Sequence, residues 1–410
     1  MTEREFATGV VATLQRAGFQ ALWAGGCVRD ELLGLAPADH DVATDARPEQ
    51  VQKLFRRTHT FGASFGVVEV LGPRGPDGEW LKVQVATFRT DSTYSDGRRP
   101  DAVTFSTPEE DAKRRDFTIN GLFFDPLTGT LIDHVGGRAD LRAKVLRAIG
   151  DPAERFAEDK LRILRAVRMA ARFGLAIDPA TLDAARRMAH TITVVSAERI
   201  AEELRKMLAH PSRAVGVRLL DDAGLAPYIL PELGSADWAF LGRVMERLPL
   251  RAGFVLAFAA LLHELSAGTV AKDCQRLRLS NAEATSVTWL VARHADLAGA
   301  VTQPPSRLYP LLAHPEIADL FALRRAVLEA TGHEVTDVDF CEQVLRTKTP
   351  AELNPPPLVT GDDLRALGLK PGPGFKRLLD ATRAAQLDGQ VRSKAEGLRL
   401  AEELSRGVGP

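Results

Sequence analysis

Cysteine is scarce in this chain. Cys27, Cys274 and Cys341 are its only three in 410 residues, scattered and odd in number. There is no Cys-x-x-Cys pair and no zinc-type spacing, which excludes a disulfide framework and suits a reducing cytosol. Long apolar runs are missing too. The most apolar stretch, Ala252 to Leu262, falls well short of the ~20 residues a membrane-spanning helix needs and reads as a buried core helix. Met1-Thr2-Glu3-Arg4-Glu5 has no apolar segment behind a basic one, so no secretory leader is expected. Neither sign of charge dominates. The formal net charge of −1 gives the whole protein no field that attracts nucleic acid, so any RNA binding must come from local basic surfaces. Internal repeats and low-complexity segments are absent.

What is present describes a folded protein of several domains: 45% apolar residues, 26% charged, and a chain too long for one core. Residues 1 to about 150 read as mixed α/β. An amphipathic helix over Glu5–Ala17 precedes a short strand at Ala21–Ala24 and a helix over Arg29–Leu33. A strand at Asp41–Thr44 and a helix opened by Pro48 follow. Val67–Val70 and Leu81–Thr87 read as strands around a turn at Gly72–Gly75. Asp91 to Pro108 reads as a polar mobile loop, followed by a helix containing Thr118–Leu122 and a strand at Thr130–Ile132. From about Asp151 the pattern is helical almost to the end. Phe156–Phe173 is predicted as one long helix, and Ser196–Ile200 opens another with Arg199 where a capping box would place Glu or Gln. Asn354-Pro355-Pro356-Pro357 marks off a tail of short helices.

The richest segment is Gly25-Gly26-Cys27-Val28-Arg29-Asp30, followed by Asp39-His40-Asp41. A glycine turn before a helix lets phosphate approach backbone N–H groups. Residues i and i+2 of a strand share a face, so Asp39 and Asp41 can converge on one divalent cation or on two. A lone Asp-x-Asp is usually a solvated loop pair. Behind a glycine turn and a strand, it points to a metal–triphosphate site and nucleotidyl transfer. Arg29 is suited to bidentate phosphate binding. In the predicted Phe156–Phe173 helix, Phe156, Ile163, Leu164, Val167, Ala170 and Ala171 form one apolar stripe. Arg155, Arg162, Arg165 and Arg172 lie opposite, and Asp159 and Arg162 are i,i+3 neighbours. His263-Glu264 follows an apolar helix without a second His/Asp cluster, so His263 reads as structural.

Five motifs in order carry a resemblance: Gly25–Asp30, Pro37–Asp41, Val85-Ala86-Thr87-Phe88-Arg89, Arg114–Gly121 and Glu158-Asp159-Lys160-Leu161-Arg162. Together they resemble the bacterial class II tRNA nucleotidyltransferase (CCA-adding) and poly(A) polymerase family. The match returns near Val359–Leu364 and Lys370–Phe375. The resemblance implies an α+β nucleotidyltransferase head (a mixed sheet with helices) at 1–150, similar to that of polymerase β. An all-α neck at 151–212, body at 213–350 and tRNA-binding tail at 351–410 would follow. It implies that Asp39 and Asp41 are the catalytic pair and hold Mg²⁺ (or Mn²⁺). Gly25, Gly26, Arg29 and Arg115 would contact the incoming nucleotide, with Asp116 and Asn120 near its ribose. Asp159 and Arg162 would serve as a protein template for the base. The carboxylate would accept from the amine of C or A and the guanidinium donate to the adjoining ring acceptor, while U and G reverse that order. Arg165 and Arg168 match further nucleotide-contacting positions, with Arg168 expected to meet phosphate or RNA. Gln84 stands where the family usually has Glu, which leaves Asp39 and Asp41 as the charged metal ligands.

The implied function is CCA addition to tRNA from CTP and ATP in the cytoplasm. Phe61–Val68 and the loop with Tyr94, Arg98 and Arg99 favour it over poly(A) polymerase and over a partial CC- or A-adding enzyme. Retention of Asp39 and Asp41 argues against a silent RNA-binding protein on the same scaffold.

Overall fold

In the computed structural model, residues 1–60, 66–75, 78–91, 103–369 and 372–406 are described. Tyr94, Arg98 and Arg99, the start of the Phe61–Val68 stretch, and Lys370-Pro371 lie outside them. The chain divides into two units, Met1–Ser235 and Ala236–Pro410.

Alternation of buried valines with polar residues builds the sheet of the first unit. In chain order the elements are α1 (Glu3–Arg16), β1 (Ala21–Ala24), α2 (Gly26–Leu32), β2 (Val42–Thr44), α3 (Pro48–Leu54), β3 (Thr58–Thr60), β4 (Val67–Arg74), β5 (Trp80–Thr87), β6 (Arg89–Asp91), β7 (Val103–Phe105), α4 (Pro108–Lys113), β8 (Leu122–Asp125), β9 (Thr130–Asp133) and α5 (Gly137–Ala143). Seven strands pair in the order β3-β4-β5-β2-β1-β8-β9. Only β2–β5 is parallel, with Val42 beside Val85; the other pairs are antiparallel. Val68, Val70, Val83 and Val85 are buried on one face. That face receives α1, whose Phe6 ring lies under Gly72; a Cβ there would come within 2.8 Å of it. Lys82 and Gln84 are exposed on the other.

Three expectations need correction here. Gly72–Gly75 is not the hairpin turn: β4 runs through Arg74, with a register shift between Leu71 and Arg74. The helix expected around Thr118–Leu122 is one 3-10 turn, Thr118–Asn120, because Leu122 already pairs in β8. The Asp91–Pro108 segment contains β7, paired with β6, at its described end.

Beyond the sheet come α6 (Pro152–Glu158), α7 (Leu161–Phe173), α8 (Pro179–Met188) and α9 (Ala197–Leu208). The single helix predicted for Phe156–Phe173 is therefore two. Asp159 breaks it with φ −142° and ψ 105°, and its Oδ1 accepts from the Leu161 N–H at 3.1 Å. An Asp can offer the backbone such a bond in place of the helical ladder. The predicted apolar stripe is buried on both pieces.

The second unit is helical. Ala252–Leu262 is its core, with the helix Phe254–Leu261 buried almost throughout. Val359, Leu364, Leu378 and Ala401 form a separate small core near the C-terminus. Among the described residues, no helix is long and apolar enough to cross a membrane.

His263 is buried, its Nδ1 2.8 Å from the Ala260 carbonyl and its ring 5.7 Å from that of His294. Burial holds both imidazoles below the usual histidine range, His294 at about 4. The folded protein thus resists a proton that the unfolded chain accepts near pH 6.5. Stability therefore falls as pH drops from about 6.5 to about 4. Urea midpoints measured against pH should show this slope flattened in His294→Gln.

Candidate active site

The glycine turn works by shape. Gly25 caps α2 with φ 74° and ψ −119°, a backbone region essentially restricted to glycine. A Cβ there would lie 2.6 Å from an Arg115 terminal nitrogen. Arg115 occupies that space because Asp111, buried on α4, accepts from its Nε and NH2 at 3.2 and 2.9 Å. The Asn120 carbonyl accepts from its NH1 at 3.2 Å. Gly25→Ala should displace Arg115 and strain the turn. We expect about 1–3 kcal/mol lost in urea unfolding, together with a raised KM for nucleotide.

Arg29 is buried beneath this turn. Its Nε donates to Asp30 at 2.7 Å and its NH1 to Asn120 Oδ1 at 2.6 Å, and the guanidinium lies over the Phe173 ring at 4.2 Å. Asn120 in turn donates to Asp116 Oδ1 at 2.8 Å, and Arg165 donates to Asp116 Oδ2 at 2.7 Å. Burial alone would raise the Asp116 carboxyl. The Arg165 charge and the bonds from Asn120 and Arg165 outweigh it and hold the group far below the usual carboxylate range.

These groups line a cavity of about 380 Å³ with Gly25, Gly26, Arg114, Arg115, Asp159, Arg162 and Arg199. Six of its eleven lining residues are arginines: Arg29, Arg114, Arg115, Arg162, Arg165 and Arg199. Such a wall suits a polyanion. The structure thus brings together every predicted nucleotide-site residue except Arg168. That guanidinium donates to the buried Glu203 of α9 at 2.5 Å, outside the cavity lining.

Asp159 and Arg162 do not sit as i,i+3 neighbours of one helix. Asp159 Oδ2 accepts from Arg199 of α9 at 2.7 Å. Arg162 NH1 donates to Glu158 at 2.5 Å and to the Arg155 carbonyl at 3.0 Å. Both keep unused capacity, since a carboxylate has about four lone-pair sites and a guanidinium five donors. Arg199, Asp111, Glu158 and Glu203 were not predicted. Arg199 did carry a signal, as a cation where a capping box wants an acid; Ser196 makes no side-chain cap bond.

Asp39 is exposed and Asp41 partly buried, both just before β2, with the Asp41 carbonyl accepting from Ala24 N–H at 3.0 Å. His40 between them is buried on the other side, edge-on to Trp23 at 5.0 Å, with Glu3 and Glu31 at 3.5 and 3.6 Å. Burial and the neighbouring Asp39 push the Asp41 carboxyl up to about 6, against the pull of Arg115. Asp39 and Asp41 do not line the arginine-walled cavity, but Asp41 feels the charge of Arg115 on its wall, and two neighbouring carboxylates form a donor set suited to a hard divalent cation. Gln84 is exposed and precedes Val85 as Asp41 precedes Val42, so it stands in the adjoining strand position.

A family model of the poly A polymerase head domain matches residues 21–147. A second, for a probable RNA- and SrmB-binding site of polymerase A, matches 174–236. The CCA-adding enzyme of Geobacillus stearothermophilus is 32% identical over 397 residues, covering 95% of this chain and 94% of its own. The chain belongs to the CCA-adding enzyme family. The CCA-adding enzyme of Limosilactobacillus fermentum is likewise 32% identical, over 98% of this chain and 97% of its own. The crystal structure of the Bacillus stearothermophilus CCA-adding enzyme in complex with CTP superposes with a TM-score of 0.78 at 30% identity, covering 99% of this chain and 98% of that one. As a member of this family the chain is a tRNA nucleotidyltransferase, with the mixed-sheet first unit and helical remainder expected of it.

Proposed function

We propose that this protein adds C, C and A in turn to the 3′ end of tRNA, in the cytoplasm, without a nucleic-acid template. The observation that carries this reading is the arginine-walled cavity with Asp159 and Arg162 on its wall and the Asp39/Asp41 pair beside Arg115. The four-part division at about 150, 212 and 350 goes with it. It is supported by the seven-stranded sheet ending before α5, by the predominance of helices after it, and by the small core of the last helices.

In the proposed reaction the tRNA 3′ oxygen attacks the α-phosphorus of CTP in line. The new P–O bond forms as the α–β anhydride breaks and pyrophosphate leaves. A second CTP and then ATP follow. Asp39 and Asp41 would hold Mg²⁺ or Mn²⁺, which when bound acidifies the attacking hydroxyl and neutralises the leaving group. Arg29 and Arg115, fixed by Asp30, Asn120 and Asp111, present donors to the triphosphate. The Gly25 turn leaves room for the Arg115 guanidinium to reach the cavity. Asp116 and Asn120, bonded to each other and, through Asp116, to Arg165 on the cavity wall, would recognise a ribose hydroxyl. Asp159 accepts from the base amine and Arg162 donates to the adjoining ring acceptor. The wrong base leaves these groups unpaired, which is what rejects it.

The test is incorporation onto tRNA transcripts lacking CCA, CA or A, with each nucleotide alone and in mixture. CTP alone should add two residues to the first transcript, and ATP should add one only after CC. Extension of the last transcript alone, or long adenosine tails on unrelated RNA, would overturn the reading. Removing divalent cations with a chelator should stop all incorporation.

A further inference from the structure

On the sheet face opposite α1, the outer end of β5 and its neighbours carry a basic and aromatic stripe that the nucleotide site does not use. Trp80, at the start of β5, is 37% exposed. The guanidinium carbons of Arg57 and Arg74 lie 4.7 and 5.2 Å from its ring centre. Strand pairing explains the cluster: Arg74 stands opposite Trp80, and the Arg57 carbonyl accepts from Leu71 at the neighbouring strand edge. Lys82, two residues along β5, shares the exposed face with Trp80 and with Gln84, which marks the position beside Asp41.

An exposed tryptophan at a strand end, held by two arginines, adds nothing to the packing of Val83 and Val85 on the opposite face, nor to the buried cluster of Leu22, Ala43 and Phe123 further along the sheet. It does order the arginines. A guanidinium stacked on an indole loses little further freedom on binding and keeps N–H edges available for phosphate. Arg74 spends one donor on the Gly78 carbonyl at 2.6 Å. Among the described residues, the carboxylates nearby are Glu69, with His59 Nδ1 at 3.6 Å, and Glu79, exposed next to Trp80. In a chain of net charge −1, this is the kind of local cationic surface RNA binding requires. Trp80 lies four residues, about 13 Å, along β5 from Gln84, so an RNA end at the proposed Asp39/Asp41 site would bring its next few base pairs over this surface.

We propose that Arg57, Arg74 and Lys82, ordered by Trp80, hold the phosphate backbone of the tRNA acceptor stem. This rests on the tRNA-extending activity proposed above. The test compares the wild type with Arg57→Ala/Arg74→Ala. Binding of a tRNA transcript lacking CCA is measured across a salt series, alongside steady-state CTP incorporation. Losing two phosphate contacts should reduce the slope of log affinity against log salt by roughly 1.5. The KM for tRNA should rise several-fold, with kcat and the KM for CTP unchanged. Arg57→Lys/Arg74→Lys, which keeps the charges, should recover most of the slope. A wild-type slope and tRNA KM in the alanine variant would overturn the proposal. If the wild type extends tRNA while the alanine variant is indistinguishable from it, only this surface is refuted. If the wild type does not extend tRNA, the functional reading itself fails.

Discussion

Replacing Asp41 with Asn should abolish nucleotide incorporation, by about a thousandfold or more, while making the cation-free protein more stable. The two effects share one cause. Burial and the adjacent Asp39 raise the Asp41 carboxyl to about 6. A carboxyl raised above its unfolded value contributes a penalty that sets in as pH rises from about 4 and is complete above about 6. Asn carries no charge, so the variant should unfold at higher urea near neutral pH, by about 1–3 kcal/mol. Mg²⁺ should raise the melting temperature of the wild type and leave the variant's nearly unchanged, because a ligand stabilises only the state that binds it. A variant that is inactive because it misfolds would instead lose stability. Normal turnover in Asp41→Asn would remove this carboxylate from the chemistry.

The second large effect is on base choice. Asp159→Asn puts an amide donor where the base amine must donate. Cytosine and adenine are then opposed, and the uracil 4-oxo group is accepted. Relative incorporation of UTP over CTP should rise by about a hundredfold or more. Competition between the two nucleotides on one tRNA transcript measures this ratio. Arg199→Ala provides the contrast. Arg199 fixes one Asp159 oxygen at 2.7 Å but leaves the other on the Leu161 N–H. Its removal should raise the KM for both CTP and ATP while their preference over UTP and GTP largely survives. Loss of discrimination in Arg199→Ala together with its retention in Asp159→Asn would reverse the two roles.

The parts of the site legible in the sequence are those set by local pattern. Gly25–Asp30 announces a turn and a helix start, and the structure forms both there; Asp39 and Asp41, expected to share one face of a strand, both stand before β2 instead. Arg115, Asp116 and Asn120 lie in one motif and reach the cavity together. What the sequence conceals is set by contacts across the chain. The stretch Glu158-Asp159-Lys160 has no glycine or proline, and helical periodicity reads straight through it. Its interruption uses Asp159's bond to its own backbone, and the same side chain is tied to Arg199, forty residues on. Asp111 looks like ordinary acid in a helix's first turn, yet it is buried and anchors both Arg114 and Arg115. Arg168 shares the arginine-rich face of α7 with Arg165, but the buried Glu203 of α9 draws it away from the cavity lining. The Gly72–Gly75 sequence has turn composition, but α1 packs Phe6 against the backbone there, and the close approach explains the glycine.

The central claim is that protein side chains, with no RNA template, choose C and A and stop after three additions. It is tested most directly by incubating a tRNA transcript lacking CCA with all four nucleotides at equal concentration and sequencing the new 3′ ends. The account predicts a single dominant product, extended by CCA and no further. Ends containing U or G at comparable frequency, or tails of A without preceding CC, would contradict it.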